Sequence, residues 1–549
     1  MTTPTGGGAE ADATRELAAG TYLDDGFRDA VIEELYENPE RTVAPSVGFD
    51  AVPVLVHALR ARRIKTAWAW IVVALWAVGF LVAGPFFAYY LAPAVVLAIS
   101  AALAGERNDP VPRRLGLEDR PLRGARRILS ASLSVLGRIL FVGYLGLAVA
   151  NIASPGLVPP GGDALSSWVA LGVPLGMALC AVVHRAQVNR TLSGVLSPQR
   201  FGDGRRTNAA LANTPRLGTT AQLIAREQHS PLVGYGPHSP FLGFGSPYQP
   251  WTAAVELDAV PRLGGSPPPL SNQALLGGII AQVEHLRMQQ AASPRHALAR
   301  LVVDEYVFLP VDGLQRRDEW PHGAEAFDSH RTAAVEEGAN RRRHYLSIQI
   351  PGAAQDCVAT VFVRVHTHGG MLMVEYLPHV LHPVRPVFRA ADRIAASRAH
   401  FPAGAWWLRT PEFAARSVSQ LLRHGASWWR SWSEIRRREL PDGPHVSVRE
   451  LAADERLSLL QEIDVQRDLQ AVQTCVLRGV TSVLHTHGYE TAGFEAQISN
   501  LSHGAAYIGR VADQSLGVGT QQIGLPSTGE SAAGPRSPGP TTNPDDDSW

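Results

Sequence analysis

Apolar and polar positions divide the chain into a helical front, a long uncharged middle and a mixed remainder. Residues Met1 to Gly20 are polar and acidic and read as disordered; they lack the basic start and apolar core of a signal peptide. Asp25–Glu37 reads as a short amphipathic helix and Phe49–Lys65 as another, ending in Arg60, Arg62, Arg63 and Lys65. From Ala67 to Ala104 no residue is charged. A helix crosses a bilayer in about 20 residues, so this stretch is nearly twice what one pass needs. Gly84-Pro85, near its middle, predicts a tight turn. The Arg60–Lys65 cluster precedes the stretch, and Arg107, Arg113, Arg114, Arg120, Arg123, Arg126 and Arg127 follow it. The positive-inside rule puts both ends in the cytoplasm, which predicts a two-pass hairpin. One long tilted helix is the alternative, and it would leave one basic cluster outside.

A second apolar pair follows. Ile139 to Val158 has Arg138 at its start, and Ala164 to Val183 is followed by His184, Arg185 and Arg190. The connection SPGLVPPGGD holds no lysine or arginine, as an external loop should. Four passes with both termini cytoplasmic fit every basic cluster; a surface helix plus one buried helix is the alternative for this pair. The spans lack ionisable side chains away from their ends, which argues for an anchor over a pump. A channel lined by backbone or small polar groups stays open.

From Thr191 to Leu525 the pattern is that of a soluble domain. Alternating and β-branched runs predict strands at Trp251–Leu257, Ala299–Leu309, His344–Ile350, Val358–Val365 and Met371–Leu377, the last two joined by a hairpin turn at His368-Gly369-Gly370. Helices are expected at Asn272–Met288, Arg385–Ala396 and Pro411–Leu422. A long one is expected from Ser447 to Thr486, opened by a Ser447–Glu450 capping box and closed by Gly488. The expected organisation is 1–65 as a cytoplasmic N-terminal segment, 66–185 as the transmembrane region, 186–525 as a cytoplasmic α+β domain with an antiparallel or mixed sheet, and 526–549 as a disordered tail.

Composition removes several function classes. The 549 residues carry 50 basic and 50 acidic side chains, so nucleic acid is not an expected partner. Lys65 is the only lysine, and it abuts the first span. A P-loop, a protein kinase and a pyridoxal enzyme each need a lysine elsewhere. Cys180, Cys357 and Cys475 form no CxxC pair, so neither a zinc ribbon nor a disulfide framework is expected. The preference for arginine, alanine, glycine and proline fits a GC-rich bacterial genome.

Four features carry candidate chemistry. The stretch Gly234, Gly236, His238, Ser239, Gly243, Gly245 could cradle an anion on backbone N–H groups. It lacks the third glycine of G-x-G-x-x-G and no helix follows it, so an ordered loop is the plainer reading. His366 and His368 could share a metal from one strand face, as could the repeated His485 and His487, but two ligands do not make a zinc site. Asp304, Glu305 and Asp312 lie along one strand, where neighbours point to opposite faces, and a solvated edge explains them. Arg423, Trp428, Trp429, Arg430 and Trp432 combine the two residue types that suit a bilayer interface. No metal, cofactor or catalytic residue is expected, and G-x-S-x-G and H-E-x-x-H are absent.

The segments SPFLGFG with YQPW (239–251), VDEYVFLPVDG (303–313), RRRHYLSIQI (341–350), FVRVHTHGGMLMVEYLPHVLHPV (362–384) and HGYETAGFEAQISNLSHGAAYIGR (487–510) resemble a family of uncharacterised actinobacterial membrane proteins. So does the N-terminal RTVAPSVGFDAVPVLVHALRARR. The resemblance implies a membrane-anchored architecture and brings no activity. The expectation is a cell-membrane scaffold with the bilayer and an unidentified protein as partners. An enzyme with a pocket near the glycine-rich stretch and a small homo-oligomeric channel are the alternatives.

Overall fold

The computed structural model describes residues 7–105, 120–154, 164–201, 214–236, 239–260, 270–291, 296–336, 341–352, 357–393, 440–454 and 456–494, with isolated positions 413, 414, 417, 421, 425 and 496. The chain begins with helices α1 (Gly7–Leu23) and α2 (Asp25–Ile32), the latter continued by a π-helical turn over Glu33–Glu37. Residues 7–20 were expected to be disordered, yet Leu17, Ala18 and Ala19 are fully buried. Burial against later elements supplies what their weak local pattern lacks.

α3 (Ala51–Phe87) joins two segments that the sequence separates. Val54, Leu55 and Ala58, in its first turns, pack into a core with α1, α2 and α7 (Pro215–Glu227). Its later turns expose Trp70, Val78 and Leu81. The helix breaks where Gly84-Pro85 predicts, with Gly84 at φ 52° and ψ −136°. The Phe87 ring then folds back on Gly79, where a Cβ would lie 2.7 Å from it. A 3-10 turn (Ala88–Tyr90) leads to α4 (Leu91–Gly105), and α5 (Arg120–Ala153) and α6 (Ala164–Arg190) complete the bundle. α3 packs on α6, α4 on α5 and α5 on α6. Tyr144 donates its hydroxyl to the Ala170 carbonyl at 2.7 Å, and Asn151 donates to Ser167 at 2.7 Å. Among the described residues three helical runs, Ala51–Gly84, Ile128–Ala153 and Ser166–Val195, are long and apolar enough to cross a membrane, and Ala88–Ser100 is a shorter apolar helix. The third span was expected to begin at Ile139. The helix that carries it, α5, starts well before that position, at Arg120, and runs unbroken through Arg138.

Among the described residues the C-terminal part forms a mixed seven-stranded sheet in the order β1-β4-β5-β6-β7-β2, with β3 also paired to β7. β1 (Leu232–Tyr235) runs parallel to β4 (Val302–Pro310), and all other pairs are antiparallel. β2 is Ser246–Pro247, β3 Trp251–Glu256, β5 Arg343–Pro351, β6 Val358–His368 and β7 Met371–Leu381. The β6–β7 hairpin turns on Gly369 and Gly370 at φ 59° and 81°, the positive values a two-residue hairpin requires. The five strands read from the sequence form; β1 and β2 escaped it because they are too short to alternate.

One sheet face is covered by α8 (Asn272–Gln290) and, late in the chain, by the helix Leu459–His487. α9 (Ala324–Glu336) lies against β4 and β5. After β7 come α10 (Pro386–Arg389), α11 (Val448–Leu451) and α12, that last helix Leu459–His487. The expected Ser447–Thr486 helix is therefore two. Asp454 donates its N–H to the Pro383 carbonyl and Ala453 bridges Val384, which pulls the chain off the helical path. α12 opens on its own capping box, Ser458 with Gln461, and ends as expected on Gly488 at φ 81°. Of the helix expected at Arg385–Ala396, Pro386–Arg389 forms α10, and the one at Pro411–Leu422 lies mostly outside the described residues.

α8 and α12 touch backbone to backbone: a Cβ on Gly479 would stand 2.7 Å from Ile279 Cα and 2.9 Å from the Gly278 carbonyl oxygen. Gly479→Ala should lower stability by about 1–3 kcal/mol through overpacking. Gly277→Ala, with nothing within 4 Å, should be neutral or raise it. Thermal unfolding of the purified full chain checks both, and an unchanged Tm in Gly479→Ala would place the helix crossing elsewhere.

Candidate functional site

The glycine-rich stretch resolves into a strand, a loop and a latch. Gly234 lies in β1, with Thr42 so close that a Cβ would meet its hydroxyl at 2.8 Å. Gly236 packs on Gly443, Ser239 is exposed, and His238 lies outside the described residues. Gly243 and Gly245 take φ of 101° and 95°. Each is wedged against main chain, where a Cβ would stand 2.6 Å from the Pro45 oxygen and 2.2 Å from the Val380 oxygen respectively. Their N–H groups converge on an anion supplied by the chain itself. Gly243 and Gly245 donate to the same Glu450 oxygen, Oε1, at 2.7 and 2.9 Å. Burial pushes the Glu450 carboxyl above its ordinary value, and the two amides hold it partway back. The sequence read Glu450 as half of a capping box; a partner some two hundred positions away leaves no local signal.

The latch holds two aromatic side chains against the sheet face opposite α8 and α12. Phe241 and Phe244 pack among Phe308, Tyr345, Phe362 and His379, with ring centroids 4.7 Å apart for Phe241–His379 and Phe244–Phe362. Burial lowers His379 to about 4, keeping its ring neutral. Beside the rings, Arg364 and Glu375 form an ion pair at 3.0 Å, and Tyr345 donates to Glu375 at 3.1 Å. Burial, more than the neighbouring carboxylate, pushes the Tyr345 hydroxyl up to about 12.

The other sequence candidates are dispersed. Glu305 accepts from Arg331 and lies 3.3 Å from His344; burial raises its carboxyl, but the His344 and Arg331 bonds win and hold it at about 2. Asp304 points to the opposite face and is exposed, as is Asp312. His366 is half-buried and His368 exposed at the hairpin end, while His487 bonds the Val483 carbonyl on the last turn of α12, which also holds His485. No group of three or more metal-ligating side chains occurs among the described residues. Arg423, Trp428, Trp429, Arg430 and Trp432 lie outside the described residues.

Where α3 leaves the core it shares with α1, α2 and α7, the lone lysine has a structural partner. Lys65 donates to Asp25, which with Asp29 also grips the buried Arg28. Burial raises the Asp25 carboxyl, but Lys65 and Arg28 overcome it and hold it below the usual range. Arg138 departs from expectation. It lies within α5, half-buried and separated from Arg127 by the uncharged residues 128–137, with no hydrogen bond or ion pair to it among the described residues.

Fold and site together define a protein in which a bundle of apolar helices is built into a mixed-sheet domain. Residues 250–513 match the family model of the AbeC-like domain, a family of uncharacterised proteins. The match takes in β3 to β7, α8 and α12 and leaves out the apolar helices. No curated protein and no solved structure matches the chain.

Glu450→Ala leaves two amides without an acceptor and should cost about 1–3 kcal/mol of stability. Glu450→Gln keeps the acceptor and removes the titration. A raised carboxyl stabilises the fold fully below its ordinary 4.5 and loses that contribution as pH rises through the raised value. The Tm of the wild type relative to Glu450→Gln should therefore climb as pH falls from neutral toward 4.5. A difference independent of pH would mean that the carboxylate is not buried in the latch.

Proposed function

We propose that the chain is a cell-membrane protein that crosses the bilayer four times with both termini cytoplasmic. Its α+β domain acts as a scaffold that displays an interaction surface to another protein at the membrane. The observation that carries this reading is α3, whose first turns lie inside the soluble core while its later turns expose Trp70, Val78 and Leu81. Such a helix needs water on one side of a boundary and hydrocarbon on the other. The break at Gly84 supports α3 and α4 as the two arms of a hairpin, and the antiparallel α5 and α6 supply the second pair. The scaffold role rests on the site chemistry: the glycine amides hold Glu450, and the described carboxylates and imidazoles are tied up in separate pairs or dispersed. Reporter fusions inserted after Gly162 and after Leu525 test the topology. The first should report outside and the second inside, and an external signal from the second would end the four-pass reading.

Arg138 favours a second reading, a small oligomeric channel. An ionisable side chain deep in an apolar span marks a functional position, and copies of α5 around an axis would ring a pore with guanidinium groups that select anions. In liposomes reconstituted with the full chain, this reading expects chloride flux that Arg138→Gln abolishes. Flux that is absent, or equal in the variant, removes the channel.

A further inference from the structure

Two helices change character at one level. The outward stripe of α3 runs Arg63, Ala67, Trp70, Val78, Leu81, all exposed. Arg63 and Trp70 are separated by about 10 Å of helix, over which the stripe passes from cation to hydrocarbon. On α6 the exposed stripe runs the other way, from Leu175, Leu179 and Val183 to Gln187 and Arg190. The Trp68 indole donates to Gln187 at 2.9 Å, so the two changes coincide. α5 agrees: Tyr144 bonds Ala170, and counting along the antiparallel pair from that contact brings Ile128, the first residue after the basic cluster, level with about residue 186.

At this level the cations divide into two sets. Arg62 is paired with Glu37 and Lys65 with Asp25. Arg63, Arg185 and Arg190 are exposed, with no hydrogen bond or ion pair among the described residues. Resting on the membrane-crossing reading above, we propose that Arg63, Arg185 and Arg190, with Trp68 and Trp70, form a collar that binds anionic phospholipid headgroups. The chemistry selects this occupant. A guanidinium fork matches phosphate oxygens two at a time, its long stem lets the charge reach the headgroup layer from slightly below it, and tryptophan settles at that depth. The apolar stripes directly beyond the arginines exclude a soluble polyanion from lying flat there. Each arginine contributes about fivefold to the preference for an anionic headgroup over a zwitterionic one, and salt screens it.

The full chain, purified in detergent and equilibrated with equal phosphatidylglycerol and phosphatidylcholine, is read by native mass spectrometry for retained lipid. The wild type should retain phosphatidylglycerol in at least tenfold preference. The triple variant Arg63→Gln, Arg185→Gln, Arg190→Gln should lose that preference with its Tm unchanged. A charge-matched control, Arg316→Gln, Arg456→Gln, Arg478→Gln, which alters exposed arginines of the sheet domain, should keep it. Equal retention of both lipids by the wild type, or an undiminished preference in the collar variant, overturns the collar. Should the collar variant fold poorly, Arg63→Gln alone must still lower the preference severalfold, and no change there overturns the proposal. Alkaline carbonate extraction of native membranes separates the two readings. A wild type that stays in the pellet but shows no lipid preference loses the collar and keeps the anchor, whereas release into the supernatant refutes the anchor itself.

Discussion

In the membrane-crossing reading we propose, a single helix, α3, has to satisfy two solvents, and the rest of the architecture follows from that demand. α3 cannot end at the membrane boundary without freeing backbone groups in a place with few partners. It therefore continues, and its first turns need an apolar environment on the water side. α1, α2 and α7 provide it, with Val31, Ile32, Leu217 and Ile224 closing around Val54, Leu55 and Ala58. The Asp25–Arg28–Lys65 cluster then closes the junction with charges that satisfy one another. Gln228 fixes the start of the helix, accepting from the Ala51 N–H at 2.8 Å and donating to Asp50 at 2.9 Å.

The same helical layer is bound into the sheet domain. Thr42 abuts Gly234 in β1, Pro45 abuts Gly243, and the Val43 N–H donates to Glu227, which Arg317 also grips. Phe27 packs on Phe388 of α10, with ring centroids 5.1 Å apart. Val448 and Leu451 of α11 sit in the core that holds α3, while Glu450 between them reaches the glycine loop. α11 thus links the core of α3 to the glycine loop.

The glycine latch shows how an anion cradle can serve a fold. Two N–H groups aimed at one point are a ready site for a carboxylate or phosphate, and the chain fills it with its own Glu450. Satisfying those donors internally fixes the aromatic pair on the sheet and accounts for the two wedged glycines, since neither position admits a Cβ.

The sequence by itself determined the elements whose cause is local. The uncharged run with Gly84-Pro85 marked the bundle and its break, since a charge or a proline acts where it stands. Period-two alternation marked β3 to β7, Gly369-Gly370 marked the hairpin, and Gly488 marked the end of α12. Only the tertiary structure decided what depends on a distant partner. It ordered residues 7–20 through the burial of Leu17 and Ala18, and it fused Phe49–Lys65 with the following span into one helix. It split the Ser447–Thr486 helix by bonding Asp454 to Pro383. It turned Glu450 from a helix cap into the anion of the glycine loop, and it brought Arg63, Arg185 and Arg190 to within about 10 Å of one another along the axes of the antiparallel α3 and α6. Local pattern records the solvent a residue prefers, whereas these outcomes rest on close contacts between residues far apart in the chain, which no window of sequence contains.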